Sequence, residues 1–222
     1  MTSMSLLSIF SRFKFKTILL ESHEKVLIQK GSGPLYETPI FFNELEVGIL
    51  NCDASKEEAA EMAELLAPLI YFENEGGSWD YVTELLTWVL GAKNLVPSVT
   101  DWIGIYYKAN YFLGKKTTDL YLGPYLGEAT EHMVIPLERG LCGLALREER
   151  VVNVANVHEN ADHIACSLKT NSELIIPLKN DSGELIAELD IDCHKLGAFT
   201  PEIEKIFQEY ALTFVPPKKI VE

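Results

Sequence analysis

Residues 184–193, Glu-Leu-Ile-Ala-Glu-Leu-Asp-Ile-Asp-Cys, carry two interleaved patterns that an extended strand separates cleanly. Successive strand side chains point to opposite faces, so Leu185, Ala187, Leu189 and Ile191 point to a core while Glu188, Asp190 and Asp192 share the other side. A fold that contains this strand must find an environment for stacked carboxyl groups. The commoner environment is a solvated acidic sheet face, with aromatic residues elsewhere in the core. The same alternation over 102–107 puts Trp102 and Tyr106 on one face, with Gly104 between them leaving room for a ligand. Aromatic rings beside carboxylates suit a small cation such as an amino-acid ammonium.

Around this strand the hydrophobic period changes twice. Runs over 17–20, 25–29 and 39–50 read as short strands. Ser55 followed by Glu58 is a capping-box start, and Ala59, Met62, Ala63, Leu66, Leu69 and Ile70 recur at helical spacing, with Pro68 bending or ending that helix. Gly76 and Gly77 break the chain, Ser78 can cap a second helix, and Tyr81, Leu85, Trp88 and Val89 form its buried stripe up to Gly91. From Trp102 the pattern is mostly strand: 102–107, 119–122, 133–137, 151–154, 174–178 and 184–191, the last two joined by a turn at 180–183. A last helix opens at Thr200 with Pro201 in its first turn and an apolar face of Ile203, Ile206, Phe207, Tyr210 and Phe214. Helices flanking a central antiparallel sheet define an α+β class. The expected organisation is a β-rich extension over 1–54, a domain over 55–215 and a tail over 216–222.

Charge and cysteine usage narrow the function. Lys and Arg number 19 against 33 Asp and Glu, a net charge of -14 that repels phosphate backbones and anionic lipid, so no nucleic-acid or membrane partner is expected. No apolar run reaches the roughly 18 residues of a membrane helix. Residues 1–20 hold Arg12, Lys14 and Lys16 without an acid, and are expected to form a first strand over 13–20 behind a loose tail rather than a targeting segment. The four cysteines, Cys52, Cys142, Cys166 and Cys193, are far apart and form no CxxC pair, which points to a reducing cytoplasm. His158, His163 and Cys166 have no fourth ligand at zinc-site spacing, so no metal is expected. Cys142 stands where a turn enters a short helix, near Arg139, where backbone N–H groups can favour a thiolate. Cys166 lies in a polar loop where exposure makes a thiol reactive, although buried, inert thiols are the commoner case.

Taken in order, Trp102-Ile103-Gly104-Ile105-Tyr106, Gly123-Pro124-Tyr125, Arg139-Gly140-Leu141-Cys142-Gly143, His163-Ile164-Ala165-Cys166, Asn171-Ser172-Glu173 and Leu189-Asp190-Ile191-Asp192 resemble the free methionine-R-sulfoxide reductases, a GAF-domain family. The resemblance covers about residues 80–213; residues 1–54 match nothing in that family. It implies a GAF-like fold and an L-methionine (R)-S-oxide reductase working without a cofactor. Trp102 and Tyr106 resemble the aromatic walls of the sulfoxide pocket, Glu173, Asp190 and Asp192 its acidic residues, Cys166 the nucleophile and Cys142 a second redox cysteine, roles also read as exchanged. The implied partners are free methionine sulfoxide and a thioredoxin-like reductant, with a homodimer left open. The family often carries a resolving cysteine ten residues before the one matched by Cys142, and here that position is His132. Resolution then falls to Cys142 or Cys193, or the domain is a GAF-type sensor that binds a small ligand without turning it over.

Overall fold

The computed structural model describes residues 18–22, 26–30, 35–159 and 169–217 of the 222. Residues 13–17 of the first strand expected over 13–20, and the tail before it, lie outside them. The chain divides into two compact units, residues 1–87 and 88–222.

In the first unit, strands β1 (Ile18–Ser22), β2 (Val26–Lys30), β3 (Tyr36–Phe42) and β4 (Leu45–Cys52) form an antiparallel sheet in the order β2-β1-β4-β3. Helix α1 (Lys56–Asn74) packs on β3 and β4, with the Phe42 and Tyr71 rings stacked at 4.0 Å. Its start is the expected capping box: Glu58 N–H donates to Ser55 Oγ and Ser55 N–H to Glu58 Oε2, both at 3.2 Å. Pro68 does not end the helix. It removes one N–H from the ladder, but it is buried between Ala67 and Leu69 in a run of packed residues whose burial outweighs that loss. Helix α2 (Trp79–Lys93) follows, with Ser78 Oγ accepting from Tyr81 N–H at 3.3 Å. It runs past Gly91, where the Tyr210 hydroxyl, donating to Trp88 O at 2.8 Å, fills the place a side chain would take.

The second unit holds a six-stranded antiparallel sheet in the order β7-β6-β5-β10-β9-β8, made of β5 (Trp102–Lys108), β6 (Leu120–Leu126), β7 (Val134–Ile135), β8 (Val152–Val154), β9 (Ser172–Lys179) and β10 (Leu185–Cys193). Helix α3 (Ala109–Phe112) is a single turn after β5, and α4 (Gly140–Arg147) packs against β9 and β10. The turn joining β9 to β10 closes through Asn180, whose N–H and O bond Glu184 O and Gly183 N–H, with Gly183 at φ +83. Helix α5 (Pro201–Ala211) begins at Thr200, whose hydroxyl accepts from Ile203 N–H. Within it only Phe207 is buried, and Ile206, expected on the apolar face, is 41% exposed. The architecture is α+β, as the alternating periods imply. Among the described residues no helix is long and apolar enough to cross a membrane.

The capping box makes a direct test of α1. Ser55→Ala removes one of its two reciprocal bonds and should lower the stability of the first unit by about 1 kcal/mol, read as a shifted urea midpoint with unchanged slope.

Candidate active site

Strand β10 lies centrally, paired with β5 on one side and β9 on the other, and every one of its residues is buried. Its register places Glu188 opposite Tyr106, Asp190 opposite Gly104 and Asp192 opposite Trp102 on β5, and Asp192 opposite Glu173 on β9. One sheet face therefore gathers Trp102, Tyr106, Glu173, Glu188, Asp190 and Asp192. The solvated acidic face expected from spacing is not what forms. The four acids are only 0–5% exposed, because α4 packs over β9 and β10, an element that strand periodicity cannot announce.

Helix α4 brings the thiol. Cys142, in its first turn and 4% exposed, donates to Asp190 Oδ2 at 3.8 Å. Its Sγ and one carboxyl oxygen each of Glu173 and Asp190 lie within 4.8 Å of one another. Among the described residues the fully buried charged side chains are these four acids, with no Lys, Arg or His. Burial and mutual repulsion consequently favour the neutral carboxyls. Burial first, then Asp192 and Glu188, holds Glu173 well above the usual range; burial, then Glu173, Asp192 and Glu188, does the same to Asp190. Burial pushes Asp192 up to about 7, with the Thr170 hydroxyl opposing, and Glu188 up to about 8, with the Cys142 thiol opposing. Burial thus favours the neutral carboxyl throughout the cluster, with Asp192 ionising more readily than Glu188 near neutral pH; a neutral carboxyl can donate a proton and an ionised one can hold a cation.

The aromatic side is compact. The Trp102 ring stacks with Tyr106 at 6.4 Å and Tyr125 at 5.6 Å; its indole N–H donates to Glu128 O at 3.1 Å, and the Tyr106 hydroxyl donates to His132 O at 2.7 Å. The room expected at Gly104 is already filled, since a Cβ there would lie 2.5 Å from the Trp102 ring and 2.8 Å from Tyr125 Cβ. A cavity of about 30 Å³, lined by Asp101, Trp102, Glu128, Thr130, Thr170, Asp192 and His194, opens beside this wall. That is space for a water molecule or so, and a larger ligand has to displace part of the lining.

Cys166 lies outside the described residues, as does His163. Cys193 is buried on the other face of β10, an odd position among even-numbered acids, so the sheet separates it from Cys142. Three participants went unassigned in the sequence reading. Tyr125 belongs to the Gly123-Pro124-Tyr125 segment without a role there, Glu188 belongs to the acidic face but not to the expected site, and Thr170, beside Asp192, immediately precedes the Asn171-Ser172-Glu173 segment. Parity alone could have found Glu188.

Comparison with known proteins shows what the chain is similar to. The free methionine-R-sulfoxide reductase of Escherichia coli (strain K12) is 39% identical over 99 residues, 44% of this chain and 57% of that protein. The enzyme of the same name from Saccharomyces cerevisiae is 30% identical over 109 residues, 49% of this chain and again 57% of the relative, so the chain spans somewhat over half the length of each. The solved structure of the type II free methionine-R-sulfoxide reductase from Thermoplasma acidophilum superposes with a TM-score of 0.53 at 32% identity, covering 60% of this chain and 88% of that one. A GAF domain model matches residues 57–214, well over half of the sequence, and the chain belongs to the GAF domain family.

Proposed function

We propose that the protein is a thiol-dependent reductase of free methionine-R-sulfoxide. The observation that carries this reading is the Cys142 thiol bonded to Asp190 inside a buried carboxyl cluster, beside Trp102 and Tyr106. The relatives named for this reaction support it from an independent side.

A sulfoxide oxygen departs only once it is protonated, so a thiol attacking the sulfur needs an acid close by. Carboxyls kept neutral by burial are such acids at pH 7, and an ionised neighbour holds the substrate ammonium. Trp102 and Tyr106 flank the sulfur-bearing side chain. With Cys166 as nucleophile, a role that rests on the resemblance, its thiol and the sulfoxide become a sulfenic acid and a thioether: the oxygen moves to the cysteine sulfur, which is oxidised by two electrons as the substrate is reduced by two. The sulfenic acid and the Cys142 thiol then condense to a disulfide and water, and an external dithiol of the thioredoxin kind reduces the disulfide by exchange. Cys193 is the poorer resolving thiol because β10 stands between it and the cluster. His132 at the usual resolving position is what favours the alternative of a small-ligand sensor, which predicts binding without turnover.

Thioredoxin-coupled assays should show NADPH consumption with free methionine-R-sulfoxide, abolished in Cys166→Ser while substrate still binds by calorimetry; binding without turnover in the unaltered protein would establish the sensor instead. Asp190→Asn and Asp192→Asn should each lower kcat/KM by about 10²- to 10⁴-fold, the usual contribution of a positioned proton donor, and wild-type kinetics in both would remove the carboxyls from the reaction. After one equivalent of substrate without reductant, peptide mapping should recover a Cys142–Cys166 disulfide. A Cys193 link, or a lasting sulfenic acid, would exclude Cys142 as the resolving thiol.

A further inference from the structure

Three elements bring a sulfur and two oxygens to one point in the core. Cys142 Sγ from α4, a carboxyl oxygen of Glu173 from β9 and one of Asp190 from β10 lie within 4.8 Å of one another, and Sγ is 3.8 Å from Asp190 Oδ2. Zinc binds thiolate sulfur at about 2.3 Å and carboxylate oxygen at about 2.0–2.2 Å, so a tetrahedral ion sets its ligands about 3.5 Å apart. Side-chain shifts of about 1 Å would close this set on one ion. Two further observations point to a cation. Asp190 gives Oδ2 to the thiol, but among the described residues its Oδ1 has no hydrogen-bond partner. Glu188, 0% exposed and two positions earlier on the same face, has none at either oxygen, although the great majority of buried polar atoms find one. Buried charge is ordinarily paired or bound to metal, and among the described residues no Lys, Arg or His is buried with these acids. The water-sized cavity lined in part by Asp192, the cross-strand partner of Glu173, offers an ion its approach.

We propose that Cys142, Glu173 and Asp190 form a binding site for zinc, with Glu188 beside it as a further negative charge. A thiolate joined to carboxylates suits zinc, whereas magnesium and calcium take oxygen ligands alone. The ion replaces the thiol proton and the protons that the two carboxyls hold, so it needs no carboxylate ionised beforehand, and nothing is oxidised or reduced. Cys142 held as a zinc thiolate cannot condense with a sulfenic acid, and Asp190 on the metal is withdrawn from the substrate. Zinc is therefore an inhibitor that occupies the resolving thiol, a consequence that rests on the reductase reading. The binding itself does not.

Calorimetry of the reduced full chain should show one equivalent of zinc chloride bound and no heat of binding with magnesium chloride. With cobalt(II) as the probe, a sulfur-to-metal charge-transfer band should appear in the unaltered protein, be lost in Cys142→Ser and remain in Cys166→Ser and Cys193→Ser. Glu173→Gln and Asp190→Asn, with circular dichroism confirming that they are folded, should each weaken zinc binding by more than about a hundredfold, beyond the loss caused by removing a residue that only supports a ligand. X-ray absorption of the zinc-loaded unaltered protein depends on no variant, and should show one sulfur neighbour with oxygen for the rest. No zinc binding, a second sulfur or an imidazole on the metal, or a cobalt band that survives Cys142→Ser or vanishes in Cys166→Ser would overturn the site. The inhibition arm uses peptide mapping after one equivalent of free methionine-R-sulfoxide: saturating zinc should suppress the Cys142–Cys166 disulfide and a chelator should restore it, and an undiminished yield also overturns the site. Absence of turnover in the metal-free protein would sink the reductase reading alone, because zinc binding needs no substrate and still decides whether the site exists.

Discussion

Four carboxyl groups buried on one face of a sheet, with no buried base beside them among the described residues, set the terms for the second unit of this protein. Each ionised acid in such a place loses its hydration and repels its neighbours, so the group can stay only by keeping a proton or finding a donor. The protein uses both. Burial keeps Glu173 and Asp190 protonated well past the usual range, and the Cys142 thiol and the Thr170 hydroxyl temper the rise at Glu188 and Asp192. The hydrophobic frame around them has to be strong enough to hold these groups in place. The odd positions of β10 supply it: Leu185, Ala187, Leu189, Ile191 and Cys193 are all buried on the opposite face.

Geometry then turns this constraint into chemistry. Antiparallel register aligns Asp190 with Gly104 and Asp192 with both Trp102 and Glu173, so acids from two strands and a ring from a third meet without any loop having to position them. The thiol arrives from a different kind of element. Helix α4 lies across β9 and β10 and directs Cys142 at the middle acid of the three on β10. A site built on strands and one short helix is held more rigidly than a site built on loops. The same compactness closes it: Trp102 and Tyr125 occupy the space above Gly104, and the adjoining cavity is of water size.

Much of this was legible in the sequence, for a local reason. Alternation has a period of two, so the sharing of one face by Glu188, Asp190 and Asp192, and by Trp102 and Tyr106, follows from spacing alone. What covers that face does not follow, because the covering residue is 48 positions from Asp190 in the chain. The expectation of a solvated acidic face failed on that long-range contact, and the expectation of ligand space at Gly104 failed on a rotamer of Trp102, equally invisible to spacing. Pro68 and Ile206 show the same limit at smaller scale. Packing on both sides carried a helix through a proline, and an apolar residue at helical spacing remained outside because nothing came to meet it. Glu188 was legible on its face, but the family resemblance supplied three acids and the fourth was passed over.

The raised carboxyls have a consequence for folding itself. A group whose proton is held more tightly in the folded state than in the unfolded chain favours the fold at low pH, and that contribution disappears as pH rises through the folded-state value. For this cluster the window begins near the ordinary carboxylate range and extends to about 7 for Asp192 and about 8 for Glu188. Collapse of the unfolded chain at neutral pH is therefore a proton-absorbing reaction. The folding protein draws hydrogen ions from its surroundings, and a mildly acidic medium becomes a folding aid for a molecule whose overall charge is strongly negative.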